Sequence, residues 1–399
     1  MTLWARATHG VQRALGAVAH ALPSALLSRV VPAGQRFDAT APPALVELPE
    51  TAIRLLVAPV NSAGQGWAWA RAAERLPGVG ARSMAIRGAR DFGFAVDQLV
   101  PLGDYRWSKP WQRAQRAAVL DGVTHVLLES AKPLFGDTAL RGVASEIDEL
   151  RAAGIRVALV FHGTDLRDPA SHRQRERHSP YAEGQWNLSP APGLRAERSR
   201  RLIESTGVAA FVSTPDLLVE APTATWLPVV VDPKRWAAAA PAFEGRPVVA
   251  HVPSAASLKG TDLIEIELRD LEAEGLIEYR RIEGLSTDEM PAAYQAADIV
   301  LDQFRIGSYG VAACEAMAAG RVVVSHVAPA VRDRVLADTG HALPIVQAQA
   351  DELGVVLRRI IAHPAEALTL AAAGPAFVTA VHDGARSAEA LAPFLQAER

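Results

Sequence analysis

The sequence predicts an α/β protein made of two Rossmann-like domains, each with a parallel sheet. Three observations predict it. Short apolar runs of strand length alternate with helical segments along most of the chain, the pattern of βαβ units. Two of these runs lead into a glycine-rich turn and then a helix: 53–60 into Asn61-Ser-Ala-Gly64-Gln65-Gly66, and 299–301 into the turn holding Gly307 and Gly310. An Ala- and Pro-rich stretch, 233–247, separates one such series from a second. A length of 399 residues suits two or three domains.

Residues 1–48 are basic and apolar, with Trp4, Arg6, Arg13, Leu22, Leu26, Leu27 and Arg29, and Pro23 divides two short helical patterns. Arg13, His20 and Pro23 interrupt any signal-peptide core. An extension packed on the fold and a membrane-surface helix both remain open for this stretch. The first domain spans 49–232, with strands expected at 53–60, 82–86, 125–129, 156–161 and 208–213 and a helix over 140–153. The linker 233–247 leads to a second domain over 248–380. Its strands are expected at 247–252, 277–282, 299–301 and 322–324, and weakly at 343–345, with a helix over 350–361. Residues 381–399 read as a C-terminal helix.

Composition narrows the class. The chain is 49% hydrophobic and 21% charged, an ordinary globular balance. A net charge of −3 gives no bulk attraction to nucleic acid, so no such partner is expected. The single cysteine, Cys314, excludes an internal disulfide and a cysteine zinc site; on its apolar helix it reads as packing. No uninterrupted apolar run reaches 18 residues, so no membrane span is expected; a cytoplasmic location is the expectation, with peripheral membrane contact left open. Only four of the 41 basic residues are lysine, which singles out Lys109, Lys132, Lys234 and Lys259.

The stretch from Asp298 to Ser325 carries the most chemistry. Its turn puts free backbone N–H groups at the positive end of the 311–319 helix, a natural phosphate site. Glu315, the only charged residue on that helix, can accept hydrogen bonds from sugar hydroxyls. An ordinary crossover with a solvated Glu remains the alternative. In the first domain, Gly64, Gln65 and Gly66 line the end of a strand, but Trp69 stands where a dinucleotide fingerprint needs its third glycine. His162-Gly163-Thr164-Asp165 leaves another strand at the edge where α/β folds bind ligands; the alternative is a turn in which Asp165 caps a helix and His162 packs. The charged loop with His172, Arg173, Arg175, Arg177 and His178 reads first as solvated. There is no P-loop, no G-x-S-x-G elbow and no Asp-x-Asp pair. Any bound diphosphate would therefore meet main-chain amides and a cation such as Lys259.

Taken together, these motifs resemble the GT-B glycosyltransferases, and the second half resembles the retaining family 4 group. His251-Val-Pro-Ser254 through Lys259-Gly260-Thr261-Asp262 is similar to that family's diphosphate stretch. Gly307-Ser308-Tyr309-Gly310 through Glu315-Ala-Met-Ala-Ala-Gly320 is similar to its nucleotide-ribose motif. His162 to Asp165 resembles its catalytic-face loop, and Ser213-Thr-Pro-Asp216 a later strand exit. The resemblance implies two domains facing across a cleft. It also implies transfer of a sugar from a nucleotide-diphosphate donor to a glycan, lipid-linked or small-molecule acceptor, with retention and without metal or cofactor. His162 and Asp165 would stand by the transferred sugar. Ser254, Lys259, Ser308, Tyr309 and Gly310 would hold the diphosphate, Glu315 the ribose, and Gly64, Gln65 and Gly66 would line the first domain's ligand edge. Two departures stand out. The family commonly has a Glu eight residues before Glu315, touching the donor sugar, where this chain has Gly307; and an Arg shortly before the Lys, where it has Ala255, Ala256 and Ser257. Asp302 and Gln303 are candidates to replace the sugar contacts, and Arg305 the missing cation. A degenerate relative that binds a nucleotide sugar or glycan without turnover, and a sugar-nucleotide epimerase, are the alternatives.

Overall fold

The computed structural model describes residues 24–87, 92–136, 142–182, 191–241, 243, 245–253 and 256–396. The expected helix before Pro23, the start of the 140–153 helix and Ser254 lie outside them.

Among the described residues, twelve strands form two sheets. The first contains β1 (Ile53–Ala58), β2 (Val79–Arg87), β3 (Gln98–Pro101), β4 (His125–Glu129), β5 (Arg156–Phe161), β6 (Ala209–Val212) and β7 (Thr225–Trp226), in the order β3-β2-β1-β4-β5-β6-β7. The second contains β8 (Val248–His251), β9 (Glu278–Arg281), β10 (Ile299–Leu301), β11 (Val322–Ser325) and β12 (Val346–Gln347), in the order β12-β11-β10-β8-β9. The registers of β1 with β2 and β4, of β4 with β5, and of β8 with β9 and β10 are parallel. Chain order reverses between β1 and β4 in the first sheet and between β8 and β10 in the second. Such switch points leave a crevice at the carboxyl ends of the strands.

The strands are apolar on both faces because both faces are covered. In the second sheet Ala250, Val300 and Val323 pack into one core, with Tyr309, Cys314 and Met317. Their neighbours Val249, Ile299, Leu301, Val322 and Val324 pack into another, with Ile264, Leu268 and Leu357. Two-residue periodicity thus splits one continuous valine run between two cores. In the first sheet Leu55, Leu56, Val57, Val126, Leu127, Leu128, Leu159 and Val160 are all fully buried.

Contacts divide the chain into two compact units: Met1–Leu166 with Leu194–Phe211 and Ala388–Arg399, and Arg167–Gly193 with Val212–Ser387. The expected boundary at 232/233 is thus replaced by an interleaved one. The segment Arg167–Gly193 belongs to the second unit because its side chains are tied there: Arg167 to Asp216 at 2.5 Å, Arg175 to Glu220 at 2.9 Å and Arg177 to Asp351 at 2.7 Å. The charged loop read as solvated does expose Arg173, Arg175 and Arg177, and it also pairs Arg175 and Arg177 with carboxylates of the second unit.

Helices absent from the sequence reading include Lys109–Gly122, Ala191–Thr206, Pro329–Thr339 and Pro364–Val381. The stretch Pro364–Gln396 is, by length and composition alone, long and apolar enough to cross a membrane. In the structure the helix is interrupted after Val381 and buries Ala367, Ala371, Phe377, Val378 and Val381. At Gly374 a Cβ would meet the Met317 backbone oxygen at 2.6 Å, so the glycine sets how closely this helix lies on Val311–Ala318.

Candidate functional site

Each unit gathers polar residues at its own switch point. In the first, Glu129 ends β4 fully buried. Its Oε2 accepts from the Val60 and Asn61 amides, both at 2.8 Å, and its Oε1 lies 3.1 Å from His162 Nε2. His162 stacks on Trp69, ring centroids 5.5 Å apart. Burial pushes the His162 imidazole down, but the hydrogen bond and charge of Glu129, helped by Asp165, outweigh burial and leave its pKa above the ordinary value. Gly66 is the residue that lets the first glycine turn approach: a Cβ there would lie 3.1 Å from Glu129 Oε2 and 3.2 Å from the Asn61 backbone. Asn61 Oδ1 accepts from Trp67 N at 2.9 Å, bracing the start of the helix Gln65–Ala73. Gly64 and buried Gln65 complete the turn. The Gly64–Gln65–Gly66 turn and His162, both expected from sequence, therefore meet around a residue that was not, Glu129.

Backbone strain collects at the same place. Asn61, Ala63, Ser130 and Ala131 all adopt positive φ, at 52°, 49°, 55° and 48°. Strain of this kind costs of order 1–3 kcal/mol per residue and concentrates at ligand sites. Asp165 has a narrower part than its sequence suggested. It accepts from Ser130 Oγ at 2.6 Å, from Gly163 N at 2.7 Å and from His162 N at 3.1 Å, so it braces the turn that carries His162. Lys132, one of the four lysines, sits close enough to Glu129 and Asp165 to feel both charges, and burial holds its ammonium below the usual range.

The second unit's switch point carries the glycine turn, Lys259, Asp302 and Glu315. Lys259 pairs with Asp302 at 2.5 Å, and the Asp302 side chain is 3% exposed with its other oxygen unpaired. Glu315 lies within the charge fields of Lys259, Arg235 and Asp302, and its carboxyl makes no hydrogen bond or ion pair among the described residues. Its carboxyl keeps some solvent contact, yet burial pushes it up to about 8 despite the opposing pull of Lys259 and Arg235. Tyr294, fully buried in the same surroundings, packs its ring against Trp236 and leaves its hydroxyl without a hydrogen-bond partner among the described residues.

The expected sugar-contact candidates build the turn instead. Gln303 donates to the carbonyls of Ser308 and His326 and accepts from the Arg305 and Ile306 amides. Arg305, expected as a second cation, is buried and donates to Asp262 at 2.6 Å and to the His178 carbonyl at 3.2 Å. Asp302 is committed to Lys259. Tyr309 turns its side chain into the core, where its hydroxyl lies 3.2 Å from His382 Nε2. Ser308 is buried, its hydroxyl beside the Asp216 carboxylate. What Ser308, Tyr309 and Gly310 offer a ligand is therefore main chain, at the start of the helix Val311–Ala318. Gly307, with φ 71°, holds the left-handed bend before it. His251, at the end of β8, is a structural residue: its nitrogens engage Leu301 O at 3.0 Å and Thr261 Oγ1 at 2.8 Å, and burial lowers its pKa to about 4. Among the described residues no group of three His, Cys, Asp or Glu could hold a metal ion.

Comparison with known proteins agrees with this architecture. Residues 260–392 match a family model described as glycosyl transferase-like. No curated protein matches the chain in sequence. Sucrose-phosphate synthase from Thermosynechococcus elongatus is 14% identical, with TM-score 0.56 over 84% of this chain and 96% of that one. The Anabaena protein HepE in complex with UDP and glucose is 13% identical, with TM-score 0.54 over 88% of this chain and 100% of that one. A glycosyltransferase from Rickettsia africae is 10% identical, with TM-score 0.51 over 86% and 98%. The likeness is one of fold: two parallel-sheet α/β domains of the GT-B kind.

Proposed function

We propose that this chain is a glycosyltransferase that moves a hexosyl group from a nucleotide-diphosphate donor to a glycan, lipid-linked or small-molecule acceptor. The observation that carries this reading is the second unit's switch point. There a lysine and a row of main-chain amides lie beside Glu315, a carboxyl without a partner. A phosphate needs the first two, and a ribose or sugar hydroxyl suits the third. The match of residues 260–392 to a glycosyl transferase-like family supports it, as does a similar fold crystallised with UDP and glucose.

In this reading Lys259 and the amides of residues 308–310 take up the charge that grows on the departing diphosphate. Such preorganised stabilisation is the largest contribution a site of this kind makes. Glu315 accepts from the ribose hydroxyls. In the first unit, His162, held by Glu129 and Trp69, serves the acceptor or the transferred sugar. With no Asp-x-Asp pair in the sequence, we assign the diphosphate to these groups rather than to a metal, and we assign retention of anomeric configuration by the family 4 resemblance. A cytoplasmic location with peripheral membrane contact goes with the same reading.

Calorimetric titration with UDP-, GDP- and ADP-sugars, followed by mass-spectrometric detection of released nucleoside diphosphate, tests it. We expect micromolar to millimolar binding of one donor class, turnover with an acceptor, and a product whose anomeric proton shows retention by NMR. Absence of binding across the panel overturns the assignment. Binding without any release or transfer favours a degenerate sugar-nucleotide binder, the reading that Gly307 keeps alive.

A further inference from the structure

We infer that Glu176 is a sugar-reading residue of the second unit's site, supplying a carboxylate beside the glycine turn from a distant stretch of chain. The inference rests on the functional reading above. It starts from Gly307. Its φ of 71° favours glycine, and a Cβ at 307 would run into the Glu176 carboxylate. That carboxylate thus occupies the space where a side chain from the turn itself would begin.

Glu176 is held there deliberately. Its Oε2 lies 2.6 Å from His326 Nε2, the two side chains being 10% and 6% exposed. The other nitrogen of His326 lies 3.0 Å from Gln347 Nε2, and Gln347 Oε1 accepts from Val327 N at 2.9 Å. The stretch bearing Glu176 is fastened to the turn on both sides, by His172 Nε2 to Ile306 O at 3.2 Å and by Arg305 to His178 O at 3.2 Å. One carboxylate oxygen is therefore fixed, while Oε1 has no partner among the described residues. That oxygen is not sealed off from solvent, so a group from outside the fold can reach it and donate to it. A phosphate would be repelled. The group that fits is a neutral one rich in hydroxyls, attached to the phosphates that the neighbouring amides receive. In a nucleotide sugar that group is the sugar.

The test compares a nucleoside diphosphate with its sugar-bearing form, using UDP and UDP-glucose, or whichever pair the donor panel selects. Wild type, Glu176→Gln and Glu176→Ala are titrated by calorimetry. The expected result is diphosphate affinity within about twofold of wild type and sugar-nucleotide affinity at least tenfold weaker. Glu176→Asp should fall between, because its carboxylate retracts by one methylene. Unchanged diphosphate binding also shows that the turn is still folded. Equal losses for both ligands would make Glu176 a prop for the turn and overturn the inference. An unchanged ratio of the two affinities would also overturn it while leaving the donor site standing. Wild-type protein that binds no nucleoside diphosphate would remove the functional reading and this inference together.

Discussion

Glu315 makes the sharpest test of the donor site, because its cost to the fold can be worked out in advance. Its carboxyl titrates near 8 in the folded chain against an ordinary 4.5. A carboxyl whose pKa is raised on folding binds more protons folded than unfolded between those two values. Stability therefore falls as pH rises from about 4.5 and levels off above about 8. At 1.36 kcal/mol per unit, the charge costs about 3 kcal/mol at pH 7. Residual solvent contact makes that an upper figure. Glu315→Gln removes the ionisation while keeping the shape. In urea unfolding at pH 5.5 and 8.0, the variant's advantage over wild type should grow by about 3 kcal/mol from the lower pH to the higher. Identical pH slopes for the two proteins would refute the argument that burial governs this carboxyl.

The same residue links stability to binding. Hydroxyls donating to Glu315 favour its ionised form, so donor binding at pH 7 should release up to one proton. Calorimetry in two buffers of different ionisation enthalpy reads that number. Glu315→Gln should lose both the proton release and at least tenfold in affinity, about 1.4 kcal/mol. A more stable protein that binds less well is the pattern expected of a group kept for a ligand.

Three further outcomes are expected. Lys259→Met strands the buried Asp302 charge and should cost about 3–5 kcal/mol; adding Asp302→Asn should restore stability but not diphosphate affinity, which separates the lysine's two duties. Glu129→Gln should lower the His162 pKa, read by NMR titration; the charged imidazole's contribution, full below about 6.5 and lost as pH rises through the raised folded value, should vanish with it. Gly374→Ala should lower the urea midpoint by the equivalent of about 1–3 kcal/mol, since its Cβ meets Met317 backbone rather than a movable side chain.

The two glycine turns were legible because each couples a local conformational need to a flanking strand and helix, all within a few residues. The apolar strands were legible for the same reason. The helix Pro364–Val381 was not: it is apolar nearly all round and carries Pro375, so no 3.6-residue stripe marks it. Lys109–Gly122 and Ala191–Thr206 hid behind polar composition. In the site, His162 could be read from its position after a strand, but Glu129 looked like the last residue of one. Arg305 and Gln303 were assigned to a ligand because their chain neighbours suggested it. Their actual partners, Asp262, His178, Ser308 and His326, are side chains and carbonyls that no spacing rule predicts. Glu176 faces Gly307 across more than a hundred residues of chain, beyond any local pattern.

The two buried carboxylates at the switch points show how such residues can be sorted. Glu129 is fully enclosed and has two amides and an imidazole on its oxygens. Its hydrogen bonds are complete within the fold, so its effect on any ligand passes through His162, whose ring it orients and whose charge it favours. Glu315 is less enclosed and its carboxyl has no partner among the described residues, and burial favours its protonated form. Replacing Glu129 should therefore disturb structure first and binding second, with the His162 titration moving in step. Replacing Glu315 should help structure and harm binding. Measured side by side at pH 8, the two Gln variants should move stability in opposite directions. If both destabilise the chain, Glu315 belongs with Glu129 as part of the scaffold, and the donor's hydroxyls must be met elsewhere.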